Sequence, residues 1–331
     1  MNKQQSSETI HLIRNNCFPN DVVIIDGQGR SGKNLIAVVL SSMKSVGKMR
    51  LDSQIDYIPR YWSLGKMTED AAIAALRTEF DEKLYYDAIS RDVNFRKDDY
   101  SGVFKQGRIW PYIKRLFISD GPKTRDKIIS DKRIFQEMTH DGIQFFDLYI
   151  KSLGCRLKFI HVLRNPIHNI FEQNRRGLGD RIGSDPTELQ LAFAYGEHSV
   201  PIMALGVEEL WLKGNELERL TLMVNAMFRK NVFSLSKFRA LYSEQIFILE
   251  FEQFVQEPAK FLRKIECFIG QPFERHANKI LRREKCPRII GDNFVSQRVS
   301  MIRSKLGADY QPILDDMLLS YDQLILEMGL T

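Results

Sequence analysis

No apolar run in this chain reaches the roughly 20 residues that a membrane-spanning helix needs. The polar start, Met1 to Ser7, has no signal-peptide core. Cysteine is sparse: Cys17, Cys155, Cys267 and Cys286 lie far apart, and none forms a CxxC or other metal-ligand spacing. That argues against a disulfide framework or a thiolate metal site and predicts reduced core thiols. The net charge is +6, yet no block of lysine and arginine is dense enough for a dedicated nucleic-acid binder. No internal repeat and no low-complexity tract is present. Together these absences predict a cytoplasmic protein with no metal, no nucleic-acid partner and no transmembrane segment. A charged face in contact with a membrane stays open.

What is present fits a globular enzyme. The 331 residues suffice for a full core, and 44% hydrophobic with 27% charged residues is ordinary. The informative stretch opens with Asp21-Val22-Val23-Ile24-Ile25-Asp26, a β-branched apolar run. Gly27-Gln28-Gly29-Arg30-Ser31-Gly32-Lys33-Asn34 follows, then the apolar helical segment Leu35 to Leu40. Strand, glycine-rich turn and helix in this order form a phosphate loop. Its glycines let backbone N–H groups turn inward, and the helix directs its positive end at the same place. Arg30 and Lys33 add full charges, so the ligand expected at Gly29, Arg30, Ser31, Gly32, Lys33 and Asn34 is a multiply charged anion. A nucleotide-hydrolysing loop carries Ser or Thr after Gly-Lys to ligate magnesium, and Asn34 stands there instead.

Further along, residues 50–133 are rich in charge and aromatics, with helical stretches at Thr68–Ile89 and Tyr112–Phe117 and no buried strand. This reads as a mostly helical insertion over the strand ends, on the acceptor side. Tyr57, Tyr61, Trp62, Tyr85, Tyr86, Trp110 and Tyr112 are either its core or faces for sugar rings. A second buried strand, Leu157–Leu163, ends in Arg164-Asn165-Pro166, where open sheets bind ligands. Arg175, Arg176 and Arg181 lie on a basic loop. Ile246–Phe251 is a third strand, and Glu252–Ile269, Leu217–Leu235 and Gln311–Met328 read as helices. The fold class expected is α/β: a P-loop-type three-layer fold with a central, mainly parallel sheet, as a single domain spanning 1–331.

With these pieces placed, the motif order resembles the sulfotransferase family, whose members use 3′-phosphoadenylyl sulfate. Arg30-Ser31-Gly32 is similar to the start of the family's 5′-phosphosulfate loop, and Val162-Leu163-Arg164-Asn165-Pro166 to its 3′-phosphate strand end. Met138-Thr139-His140 resembles the segment carrying the base. Ile248 to Phe254 with Glu257-Pro258 and Phe268-Ile269-Gly270 resembles the last shared strand and helix. The resemblance implies sulfuryl transfer to a hydroxyl, with a carbohydrate or glycan as acceptor and no metal. It implies that Arg30, Lys33, the loop amides and Asn34 hold the 5′-phosphate end, and that Arg164 holds the 3′-phosphate. It makes His140 the base, oriented by Asp141 or Glu137. Three positions depart from the family pattern. Lys33-Asn34 replaces a hydroxyl pair, and Glu172 stands eight residues after Arg164 where the family has Ser. The C-terminal Arg-Lys-Gly segment has only Arg298 and Arg303 as nearest basic residues. Two alternatives are a small-molecule kinase using ATP and magnesium, which the loop from Ile25 to Lys33 also suits, and an inactive nucleotide-binding relative.

Overall fold

The structure, a computed structural model, describes residues 10–99, 101–105, 109–291 and 293–329. The polar start Met1–Ser7 lies outside them, and residues 10–20 carry no helix. In chain order the first unit is β1 (Val22–Asp26) and α1 (Lys33–Leu40). Next come α2 (Ser53–Ser63), α3 (Glu69–Ile89), α4 (Ile109–Arg115) and α5 (Pro122–Ser130). β2 (Phe135–Met138), α6 (Phe146–Leu153) and β3 (Leu157–Leu163) return to the sheet, followed by α7 (Pro166–Asn174) and α8 (Leu178–Arg181). A small hairpin, β4 (Ala192–Tyr195) and β5 (His198–Pro201), precedes α9 (Glu208–Lys213) and α10 (Glu216–Phe238). β6 (Ile246–Glu250), α11 (Phe251–Gln256), α12 (Pro258–Ile269), α13 (His276–Arg283), α14 (Phe294–Arg303) and α15 (Gln311–Met328) complete the chain.

The main sheet has four strands in the order β2-β1-β3-β6, all parallel. β1 is buried at every position, as a central parallel strand covered on both faces requires. Alternation along it divides the core. Val23 and Ile25 face α1 and α12, with Ile36, Leu40, Phe254, Phe261 and Ile265. Val22 and Ile24 face α3 and α6, with Leu76, Phe80, Phe146 and Tyr149. The helical insertion therefore also covers one face of the sheet through α3, while α2 stands at the strand ends. A third core gathers α7, α10, α14 and α15 around Ile167, Leu220, Phe228, Leu314 and Met317. Among the described residues no helix is long and apolar enough to cross a membrane.

Local chemistry sets the helix boundaries. Asn215 caps α10 with a full capping box, its side chain accepting from Leu217 and Glu218 while Glu218 reaches back. The helix expected over Glu252–Ile269 is broken in two: Pro258 opens α12 at its first turn, and the backbone leaves the helical region at Glu257. The hairpin and α14 have no counterpart in the sequence reading.

Candidate functional site

The carboxyl ends of the parallel strands open into a cleft of about 620 Å³, lined by the loop after β1, the end of β2, α7 and the start of α11. Gly27 and Gly32 make the loop possible. Gly32 has φ +93°, and a Cβ there would lie 2.1 Å from the Phe251 ring. Gly27 has φ +147°, and its Cβ would meet the Val162 carbonyl at 2.6 Å. Arg30 also sits in the left-handed region, with φ 66°, a strained conformation for a residue with a Cβ. α1 begins at Lys33 with no side-chain cap, so its first amides are left for water or an anion. Gly29, Arg30, Gly32, Lys33 and Asn34 all line the cleft. Ser31 is buried, and its hydroxyl has no hydrogen-bond partner.

Lys33 is placed differently from a free phosphate clamp. Its buried ammonium donates to the carbonyls of Gly27 and Thr139, each at 2.6 Å. Burial lowers its pKa to about 8, against the support of nearby Asp26. With three protons on the ammonium, one is left to face a ligand. Asp26, at the end of β1, is fully buried and receives four donors. They are Thr139 Oγ1 at 3.0 Å, Gly142 N–H at 2.6 Å, Ile143 N–H at 3.0 Å and His161 Nδ1 at 2.8 Å. Burial would push its carboxyl up, but His161, Lys33 and the Gly142 amide outweigh it and hold the pKa at about 2. Asp26 thus locks the turn after β2 onto the loop, and His161 is its partner in the core.

That turn presents His140. The imidazole Nδ1 lies 2.9 Å from Asp56 Oδ2, and the backbone N–H of His140 donates to Asp56 Oδ1 at 3.0 Å. With Nδ1 engaged, Nε2 is the free nitrogen of a side chain 37% exposed to solvent. Arg60, one turn along α2 from Asp56, donates to the His140 carbonyl at 2.8 Å. Neither acid expected from the sequence orients the ring. Asp141 accepts from Asn231 at 2.8 Å. Glu137 is buried in β2, accepts from the Asp52 N–H at 2.6 Å and is held protonated up to about 8, chiefly by burial.

Arg164, at the end of β3, lies across the loop from Arg30. Its Nη1 donates to the Arg30 carbonyl, its Nε lies 3.5 Å from Glu252 Oε1, and its guanidinium covers the Phe251 ring at 5.0 Å. Burial lifts Glu252 to about 7 despite Arg164. Arg175, Arg176 and Arg288 also line the cleft, whereas Arg181 is turned to Asp185 and Glu188. Glu172 pairs with Arg175 at 3.0 Å. Of the two C-terminal basic residues, Arg298 reaches this cluster and lies 3.7 Å from Glu172, while Arg303 pairs with Asp315 on the surface. The sequence reading missed Asp56, Arg60 and Arg288. Asp56 and Arg60 carry a usable signal: at i and i+4 they share one helix face.

A second depression of about 520 Å³ adjoins the first. Trp62, Phe145, Phe233, Leu205 and Met227 line it, and Arg60 lines both. Of the remaining aromatics of the insertion, Trp110 is 69% exposed, whereas Tyr85, Tyr86 and Tyr112 make contacts within it. Tyr112 is buried with its hydroxyl accepting from the Lys48 N–H, Tyr85 bonds Asp120, and Tyr86 lies under Arg91.

No protein-family model and no curated protein matches the chain. Solved structures similar to it include a sulfotransferase domain from the Synechococcus PCC 7002 olefin synthase, at 14% identity and TM-score 0.47, covering 93% of this chain and 97% of that one. Sulfotransferase STF9 from Mycobacterium avium is similar at 14% identity and TM-score 0.42, covering 92% and 77%. Mouse sulfotransferase SULT7A1, solved with PAP, is similar at 12% identity and TM-score 0.40, covering 93% and 84%.

Proposed function

We propose that the chain is a sulfotransferase that moves the sulfuryl group of 3′-phosphoadenylyl sulfate to a hydroxyl of a carbohydrate or glycan. One observation carries this. A single cleft holds both an anion grip built from two strand ends, Arg30 and Arg164, and an imidazole whose far nitrogen is fixed by a carboxylate, His140 with Asp56. Likenesses at TM-scores under 0.5 carry none of it.

The chemistry follows from those parts. Sulfuryl transfer resembles phosphoryl transfer: an in-line displacement in which the protein supplies position and preorganised positive charge. The acceptor oxygen attacks sulfur as the bond from sulfur to the 5′-phosphate oxygen breaks. His140 Nε2 takes the hydroxyl proton, and Asp56 stabilises the imidazolium that results. Arg30, the remaining proton of Lys33, Asn34 and the loop amides take the charge that develops on the departing phosphate. Arg164 holds the other end of the nucleotide, which leaves as adenosine 3′,5′-bisphosphate. The acceptor lies in the second depression, where Trp62 and Phe233 offer ring surface to sugar C–H groups beside the Arg60 charge. A magnesium-dependent kinase fits less well, because Asn34 stands where the metal-binding hydroxyl is needed.

Thermal shift tests the donor. Adenosine 3′,5′-bisphosphate at about 100 times its Kd should stabilise the protein by roughly 2.7 kcal/mol. A larger shift with ADP that depends on magnesium would displace this assignment in favour of the kinase. His140→Ala should keep the bisphosphate shift and lose sulfate transfer to a glycan panel; retained turnover removes His140 from the mechanism.

A further inference from the structure

Glu172 on α7 is a carboxylate set among arginines. It lines the cleft, with Oε2 3.0 Å from Arg175 Nη2 and Oε1 3.7 Å from Arg298 Nη2. Arg30 and Arg164 also feel its charge. The arginines on its two sides differ in kind. Arg298 is 8% exposed and wedged between the rings of Phe171 and Phe294, 4.0 Å from each. Its Nη1 bonds His168 Nδ1 at 2.9 Å. Burial, with Arg298 and Arg164 beside it, lowers His168 to about 4, so the ring is neutral and accepts. Arg298 is therefore fixed in place. Arg175 is 63% exposed. Glu172 bridges a buried inner cation and an exposed outer one. The Nε of Arg298 is buried without a hydrogen-bond partner, so this inner arginine retains donor capacity that Glu172 leaves unused.

Glu252 already faces Arg164 on the other side. Arg30, Arg164, Arg175 and Arg298, with Arg176 and Arg288 also on the cleft, thus outnumber the carboxylates of Glu172, Glu188 and Glu252. An arriving dianion meets net positive charge, but Glu172 already stands between Arg175 and Arg298.

We propose that Glu172 is a built-in counter-anion occupying the second phosphate subsite of the cleft, released from Arg298 and left on Arg175 alone when a nucleotide brings a second phosphate of its own. This rests on the nucleotide donor proposed above. The consequence is a weak preference for the 3′-phosphate. Part of the attraction that the arginines offer is cancelled by the displaced carboxylate, and the doubly phosphorylated product is held loosely.

Calorimetric titration with adenosine 3′,5′-bisphosphate and with adenosine 5′-monophosphate tests this on the wild type, Glu172→Gln and Glu172→Ser, with each unliganded melting temperature recorded. The wild type should prefer the bisphosphate by less than about tenfold, and both variants should bind it about tenfold tighter than the wild type while changing little toward the monophosphate. Arg175→Ala, at an exposed side chain, should weaken the bisphosphate alone, by about threefold or more. An unchanged ratio of the two affinities in the variants, or an equal change in both, overturns the inference and leaves the donor assignment standing. If no protein binds either nucleotide, the donor assignment falls and takes the inference with it.

Discussion

Asp56 gives the imidazole of His140 a fixed orientation, and it does so from 84 residues away in the chain. Removing its charge should leave the fold intact and strip His140 of its partner. Asp56→Asn is expected to lower kcat by about 100-fold or more with KM little changed; a change confined to KM would make Asp56 a binding residue only. Glu137 has the opposite character. Below pH 4.5 it is protonated both folded and unfolded, so it costs nothing. Between pH 4.5 and about 8 the unfolded chain releases the proton and the buried side chain keeps it. Stability from this group therefore falls as pH rises through that window. Glu137→Gln removes the effect. Urea unfolding should show no gain at pH 4 and a gain on the order of 3 kcal/mol by pH 8; a difference that does not vary with pH would refute this. At this scale the sequence exposes residues next to strand ends, because a strand end is a place. The cleft does gather His140, Arg30, Lys33 and Arg164. The partners stay hidden, since Asp56, Asp26 with His161, and Arg298 with Glu172 meet only once the chain is folded.

Among the elements, α1 and its loop depend on the absence of a single side chain. Phe251 lies where a Cβ on Gly32 would go. Gly32→Ala forces either the ring or the loop to move and adds left-handed strain. A loss of about 1–3 kcal/mol is expected, together with weakened nucleotide binding; near-wild-type unfolding would mean that Phe251 yields freely. The strongly patterned elements were legible. β1, β3, β6, α10 and α15 combine apolar periodicity with clear boundaries. The hairpin of β4 and β5 was not, because it is short and largely exposed and so lacks the alternation that burial imposes. α14 was not either. Its Phe-Val-Ser-Gln-Arg-Val-Ser start favours no helix on propensity. It is held in the folded chain by α7, through the Arg298 contacts with Phe171 and His168.

Across the whole molecule, the three cores are joined by shared elements. α3 packs on the same core as β1 and α6, so we take residues 50–133 to be part of one cooperative unit spanning the chain. Calorimetry should then show one unfolding transition, and two separated transitions would split the insertion from the rest. α15 is the weak end of this arrangement, since its hold depends on Leu314, Met317, Tyr321 and Leu324 against α10 and its neighbours. Leu314→Ala should cost about 2–5 kcal/mol. The value should come from chemical unfolding, and a loss under 1 kcal/mol would mean that α15 adds little. The overall architecture was readable because parallel strands, buried on both faces, demand crossover helices. That α3 roofs the sheet while α2 stands at the strand ends follows from packing, which composition does not record.

Lys33 gives the loop one further property. By holding the carbonyls of Gly27 and Thr139 together, it braces two separate backbone turns with the protein's own atoms. An incoming anion finds its cradle already formed, so little chain entropy is surrendered on capture.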